Sequence, residues 1–100
     1  MQKNTYETCD AIEFSERHIR DVKRLKKKHA NIELLLAAQR AVISGNVTAL
    51  RTKFKNHALR GNYIGWRELH VQSDWLLIYT KENGTVVFLR TGSHDEVLKH

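Results

Sequence analysis

Asp74-Trp75-Leu76-Leu77-Ile78-Tyr79 is an almost unbroken apolar run, followed by the turn residues Glu82-Asn83-Gly84 and then by Thr85-Val86-Val87-Phe88-Leu89-Arg90. A short continuous apolar run bounded by turn signals reads as a central strand covered on both faces. Asn-Gly is the strongest short-range hairpin signal, so Thr85 to Arg90 is the returning antiparallel strand. Upstream, Trp66 to Val71 alternates. Side chains point to opposite faces along a strand, which puts Trp66, Glu68 and His70 on one face and Arg67, Leu69 and Val71 on the other. The second half is therefore a three-stranded antiparallel meander.

The first half has a different period. Residues 9–14, Cys-Asp-Ala-Ile-Glu-Phe, alternate weakly and predict a first strand. Ser15 can then cap a helix whose first turn carries Glu16 and whose last turn carries Lys26, Lys27, Lys28 and His29, charges that suit the helix dipole at each end. Ile19, Val22 and Leu25 recur at three-residue spacing and predict its apolar side. Asn31 can cap a second helix through Ile32, Leu35, Leu36, Gln39, Val42 and Ile43, ending near Gly45-Asn46. The two read as a helical hairpin. Residues 45–63 are less regular, and 93–98 predict one closing helical turn. The expected fold is α+β: an N-terminal strand, a helical hairpin, the meander and a short C-terminal helical turn, with the helices on one face of the sheet. One domain spans 1–100, and polar residues 1–8 read as a loose extension.

Seventeen Lys and Arg against eleven Asp and Glu leave a net charge of +6, with six histidines besides. That balance favours a polyanionic partner. The lone Cys9 excludes an internal disulfide and a zinc finger of paired cysteines. No signal-peptide core and no run of about 18 apolar residues is present, so the expected location is the cytoplasm, with no membrane partner.

His57, His70, Asp74, Arg90 and His94 lie within the last 44 residues. A meander brings such positions together, with His70 and Asp74 flanking the bend Gln72-Ser73. Metal-free RNA cleavage needs a base for the 2′-hydroxyl, an acid for the leaving 5′-oxygen and a cation for the charged transition state. Histidine serves as base or acid near neutrality. Aspartate can be the base or fix an imidazole, and arginine can grip phosphate with two prongs. Zinc binding by the histidines is the competing chemistry, but no His-Glu-x-x-His spacing or Cys cluster supports it. Tyr63, Trp66, Trp75 and Tyr79 can stack bases or belong to the core; core is preferred for Tyr79, while Trp75 adjoins Asp74. The stretch Lys23, Arg24, Lys26, Lys27, Lys28 is either a ribosomal RNA contact or a solvated helix face.

From residue 54 onward the chain resembles the YafQ branch of the RelE/ParE toxin superfamily. The carrying residues are Asn56-His57-Ala58-Leu59-Arg60-Gly61, Trp66-Arg67-Glu68-Leu69-His70, Ser73-Asp74-Trp75-Leu76-Leu77-Ile78-Tyr79 and Arg90-Thr91-Gly92-Ser93-His94. The family pattern runs DH-x-L-x-G, W-x-x-x-R-[ED]-x-H, PDW-[LI]-L-I-Y and R-[TL]-G-[ST]-H; the first half of the chain matches in layout only. The resemblance implies a microbial RNase fold and a ribosome-dependent endoribonuclease that needs no cofactor and leaves a 2′,3′-cyclic phosphate. It implies catalytic roles for His57, His70, Asp74, Arg90 and His94: His94 as acid, Asp74 or His70 as base or its orienter, Arg90 on the scissile phosphate and His57 in support. Substrate contacts are expected from Trp75, Arg67, Leu98 and the basic stretch. The implied partners are mRNA, the ribosome and a DinJ-like antitoxin, with operator DNA bound only by the toxin–antitoxin complex. Three departures from the pattern matter. Asn56 replaces Asp, which removes charge-fixing of His57; Ser73 replaces Pro, which loosens the bend; and Leu98 replaces an aromatic linked to activity. The alternatives are a ParE-like gyrase inhibitor, a catalytically dead relative and a plain basic RNA-binding module.

Overall fold

The computed structural model describes residues 8–98; the expected loose extension lies almost wholly outside them. Its elements are β1 (Ala11–Phe14), α1 (Glu16–Lys27), α2 (Ile32–Ser44), β2 (His57–Ala58), β3 (Arg67–Gln72), β4 (Trp75–Glu82), β5 (Thr85–Gly92) and α3 (His94–Val97). The strands form one sheet in the order β1-β5-β4-β3-β2. β3, β4 and β5 are the meander the sequence predicts, and β1 pairs parallel to β5. Asn83 and Gly84 both take positive φ in the β4–β5 turn, the conformation for which Asn-Gly is selected. β2 has two residues and paired antiparallel to β3 extends the sheet to five strands; two residues are too few to leave a period in the sequence.

The caps follow the sequence. Ser15 accepts from the His18 amide, Asn31 from the Glu33 amide, and Gly45 ends α2 in the left-handed conformation. The apolar positions of β4 then divide between two clusters. Leu77 and Tyr79 join Leu69, Val86 and Phe88 against Leu35, Ala38 and Val42 of α2. Leu76 and Ile78 face the other way, onto Val97 and Leu98. This second cluster covers only part of its face, with Leu59, Tyr63, Trp66 and Leu89 around it.

α1 departs from the expected apolar side. Ile19 is 46% exposed, and the buried residues are His18 and Asp21. The cause lies at the sheet edge. β1 stops at Phe14, paired with Phe88, so β5 beyond that point would expose unpaired backbone groups. α1 supplies the partners: Ser15 Oγ donates to the Leu89 carbonyl at 2.6 Å, and Asp21 accepts from the Thr91 amide at 3.0 Å. The helix is held by polar contacts to an open edge, which an apolar-periodicity rule does not see. His18 meets the Gln39 side chain at 3.2 Å, and burial pushes its pKa down to about 4 against the opposing charge of Asp21.

Candidate active site

The face away from α2 carries the titratable groups. His57 of β2 pairs directly with Glu68 of β3, and His70 follows two residues on, so the three share a side. Nε2 of His57 lies 3.2 Å from Glu68 Oε1, and Nε2 of His70 lies 3.6 Å from the same oxygen. The rings stand 6.2 Å apart. Nδ1 of His57 contacts the Lys55 carbonyl at 3.0 Å, and Nδ1 of His70 the Ser73 carbonyl at 3.4 Å. The Glu68 side chain is 8% exposed, against 50% and 38% for the two histidines. A buried carboxylate needs such partners to offset its lost hydration. Glu68 was not among the sequence candidates; its signals there are the alternation that puts it on the face of His70 and the acidic position of the family pattern after Arg67.

The tight β3–β4 turn delivers Asp74, whose Oδ1 accepts from the backbone N–H of His94 at 3.1 Å. That bond ties the start of α3 to the turn that begins beside His70, so His70, Asp74 and His94 gather at one end of the sheet. Ser93 and Glu96 close a reciprocal capping box around the same segment. The His94 ring is 61% exposed. Ser73 has φ of 24°, a value closed to proline, so this turn is set by its positive φ where a proline would fix a different one.

Arg90 reaches the site from a bulge. Ile78 pairs with Arg90 and Tyr79 with Phe88, which leaves Leu89 as the extra residue; bulges re-aim side chains in this way. The guanidinium turns to α1: Nε donates to Asp21 Oδ2 at 2.8 Å and Nη2 to Asp21 Oδ1 at 3.1 Å, and Nη2 also reaches the Glu96 carbonyl at 3.3 Å. The two-pronged grip expected on a phosphate is thus taken up by Asp21. Burial opposes ionisation of Asp21, yet hydrogen bonds from Arg90 and the Thr91 amide, with help from Arg24, hold its carboxyl below the usual carboxylate range. Asp21 in turn holds the guanidinium proton on Arg90 more tightly.

The remaining expected contacts do not converge here. Trp75 packs on the helix side and its indole N–H donates to Thr91 Oγ1 at 2.9 Å, so it supports the sheet from beneath. Arg67 lies on the opposite face from Glu68, with Nε on Asn56 Oδ1 at 3.2 Å. Asn56 also accepts from the Tyr79 hydroxyl, so its side chain serves the helix side, and the group that fixes His57 is Glu68. Leu98, 6% exposed, is core. The basic stretch divides: Arg24 and Lys28 approach Glu96 at 3.3 and 3.7 Å, Lys23 and Lys26 border a groove with Phe14, Ile19 and Val22, and Lys27 is exposed. A helix turns 100° per residue, so consecutive lysines cannot share one surface. Among the described residues, no group of three or more His, Cys, Asp or Glu side chains is arranged to hold a metal ion, and no helix is long and apolar enough to cross a membrane.

This geometry can be set beside known proteins. A family model described as the bacterial toxin of type II toxin–antitoxin system, YafQ, matches residues 10–99. The mRNA interferase toxin YafQ of Escherichia coli strain K12 is 36% identical over 83 residues, which cover 83% of this chain and 89% of that protein. The crystal structure of YafQ from E. coli strain BL21(DE3) matches with a TM-score of 0.78 at 32% identity, covering 86% of this chain and 94% of that one. The E. coli DinJ-YafQ toxin-antitoxin complex matches with a TM-score of 0.80 at 33% identity, covering 91% and 98%. Sequence and fold agree over nearly the same span, and the chain belongs to the YafQ family of bacterial toxins of type II toxin–antitoxin systems.

Proposed function

We propose that this protein is an mRNA interferase that cuts translated mRNA on the ribosome and is silenced by a DinJ-like antitoxin. The observation that carries the reading is the convergence of the His57–Glu68–His70 cluster and the Asp74–His94 pair at one end of an open sheet face. His70 takes the proton of the 2′-hydroxyl on Nδ1, displacing its long contact with the Ser73 carbonyl, while Glu68 on Nε2 fixes the ring and steadies the imidazolium, the role a carboxylate has behind a catalytic histidine. The 2′-oxygen attacks the adjacent phosphorus, the bond to the 5′-oxygen breaks, and His94 protonates that oxygen. The products are a 2′,3′-cyclic phosphate and a 5′-hydroxyl end. Asp74 sets the position of His94 through its backbone, His57 shares Glu68, and Arg90 contributes positive charge beside α3. General acid and base help of this kind is worth roughly 10²–10⁴-fold per group.

The exposed rings favour a ribosomal setting. A shallow site orients its substrate poorly by itself, and orientation supplies a large share of the rate in such chemistry. The ribosome would hold the mRNA that this chain cannot enclose, which places the activity in the cytoplasm. A basic toxin and an acidic antitoxin associate fast through charge, and operator DNA is assigned to their complex. The test is primer extension on mRNA from cells briefly expressing the chain, with translation running or blocked. In-frame cuts that vanish when translation is blocked support the reading. Growth arrest without cuts would point to gyrase inhibition on the same fold, and neither effect to a dead relative.

A further inference from the structure

Arg17, Arg20, Asp21 and Arg24 recur at the i, i+3, i+4 and i+7 spacing that lines side chains along one side of a helix. Arg90 reaches this stripe from β5. The five residues line a cleft of about 220 Å³, so four guanidinium groups surround one carboxylate. Asp21 holds two of them, accepting from Arg24 Nη1 at 3.1 Å and Arg90 Nε at 2.8 Å. Glu96 approaches Arg24 Nε at 3.3 Å. Arg20 meets Glu16 at 3.6 Å with both side chains largely in solvent, a contact of little strength. Arg17 makes no ion pair among the described residues. The floor of the cleft is therefore pinned by Asp21, while Arg17 and Arg20 stand exposed at its rim.

We infer that this arginine cleft binds a phosphodiester group of RNA next to the one that is cut. The inference rests on the ribonuclease reading and deepens it. Guanidinium groups match phosphate oxygens in a planar, two-pronged geometry, and clustered cations favour an anion between them. The position suits a neighbouring phosphate, because Arg90 Nη2 donates to the Glu96 carbonyl of α3, the helix that opens with His94. A strand bound at His94 passes along α3 toward the cleft. A protein partner is the poorer fit. No apolar residue lines this cleft, whereas protein interfaces anchor on apolar and aromatic groups.

The test uses the double variant Arg17→Gln/Arg20→Gln in the full chain. Two probes are titrated over a range of salt: a short single-stranded RNA with 2′-deoxyribose at the cut position, and vacant ribosomes. Binding of the oligonucleotide should weaken at least about tenfold, and the salt slope should fall by about 0.7 for one lost single-strand phosphate contact. A loss on the oligonucleotide bears the inference out; a loss on ribosomes alone overturns it and moves the contact to a ribosomal RNA phosphate. Unchanged binding of both probes overturns the inference, as does a loss confined to antitoxin binding. If the unaltered chain binds the probes and cuts no RNA, the nuclease reading falls while the cleft stands.

Discussion

On the helix side of the sheet, Leu69, Leu77, Tyr79, Val86 and Phe88 are sealed under α2 and the segment around Leu50 and Phe54. On the other side, β3 carries Glu68 and His70 beside His57 of β2, and Leu76 and Ile78 are sealed by α3. The difference lies in what each face does with its alternate positions. One removes apolar area from water and fixes the sheet. The other leaves imidazoles half in solvent and buries a single carboxylate to hold them. Stability is concentrated on the first face and chemistry on the second, so substitutions should separate the two.

The largest effect should come from opening the closed face. Phe88→Ala removes a fully buried ring that packs on Phe14, His18 and Tyr79, and a change of this kind costs about 3–5 kcal/mol. Denaturant unfolding should show most of that loss, with activity lost only because the chain is unfolded. On the open face, Glu68→Gln keeps shape and removes charge. RNA cleavage should fall on the order of 10²-fold while RNA binding holds, since the carboxylate acts through the proton transfer of its histidines. Unaltered cleavage by this variant would reduce Glu68 to a structural acid.

Asp21 sharpens the comparison because it belongs to neither face. Its folded-state pKa is depressed, so its stabilisation is present above the ordinary carboxylate range and is lost as pH falls through the folded value. Asp21→Asn should cost about 2–3 kcal/mol at neutral pH, the scale of hydrogen bonds to charged groups, and should flatten the acid limb of the stability profile. His18 acts earlier. Its pKa is lowered from 6.5 to about 4, so the unfolded chain takes up its proton first and stability declines as pH falls between those values. Melting temperatures across pH 3–8 for the native chain, Asp21→Asn and His18→Gln check both signs. The smallest effect is Ser93→Ala, which loses the α3 cap at about 1 kcal/mol; it should lower cleavage more than it lowers stability, because α3 presents His94.

The meander, the caps and the Asn83-Gly84 turn were legible because each depends on neighbours in sequence. So was the split of β3 into two faces. The edge contacts were not. Nothing local says that Asp21 will meet Arg90 and the Thr91 amide across some 70 positions, or that a helix with Ile19, Val22 and Leu25 along one side will bury His18 and expose Ile19. Arg24 and Lys28 read as part of a basic surface, yet both turn to Glu96. His57, His70, Asp74, Arg90 and His94 were named from their chemistry and from a motif, and both carried residue types without partners. Glu68 as the shared centre and Asp21 as the holder of Arg90 required coordinates.

The most direct measurement is single-turnover cleavage of mRNA on purified programmed ribosomes by the native chain and by His94→Ala, with the ends of the products identified. The account predicts a 2′,3′-cyclic phosphate from the native chain and a rate lower by roughly 10²–10⁴-fold in the variant, at unchanged melting temperature, since the ring is exposed. Cleavage by His94→Ala at the native rate, or a product with a 3′-hydroxyl end, would contradict it.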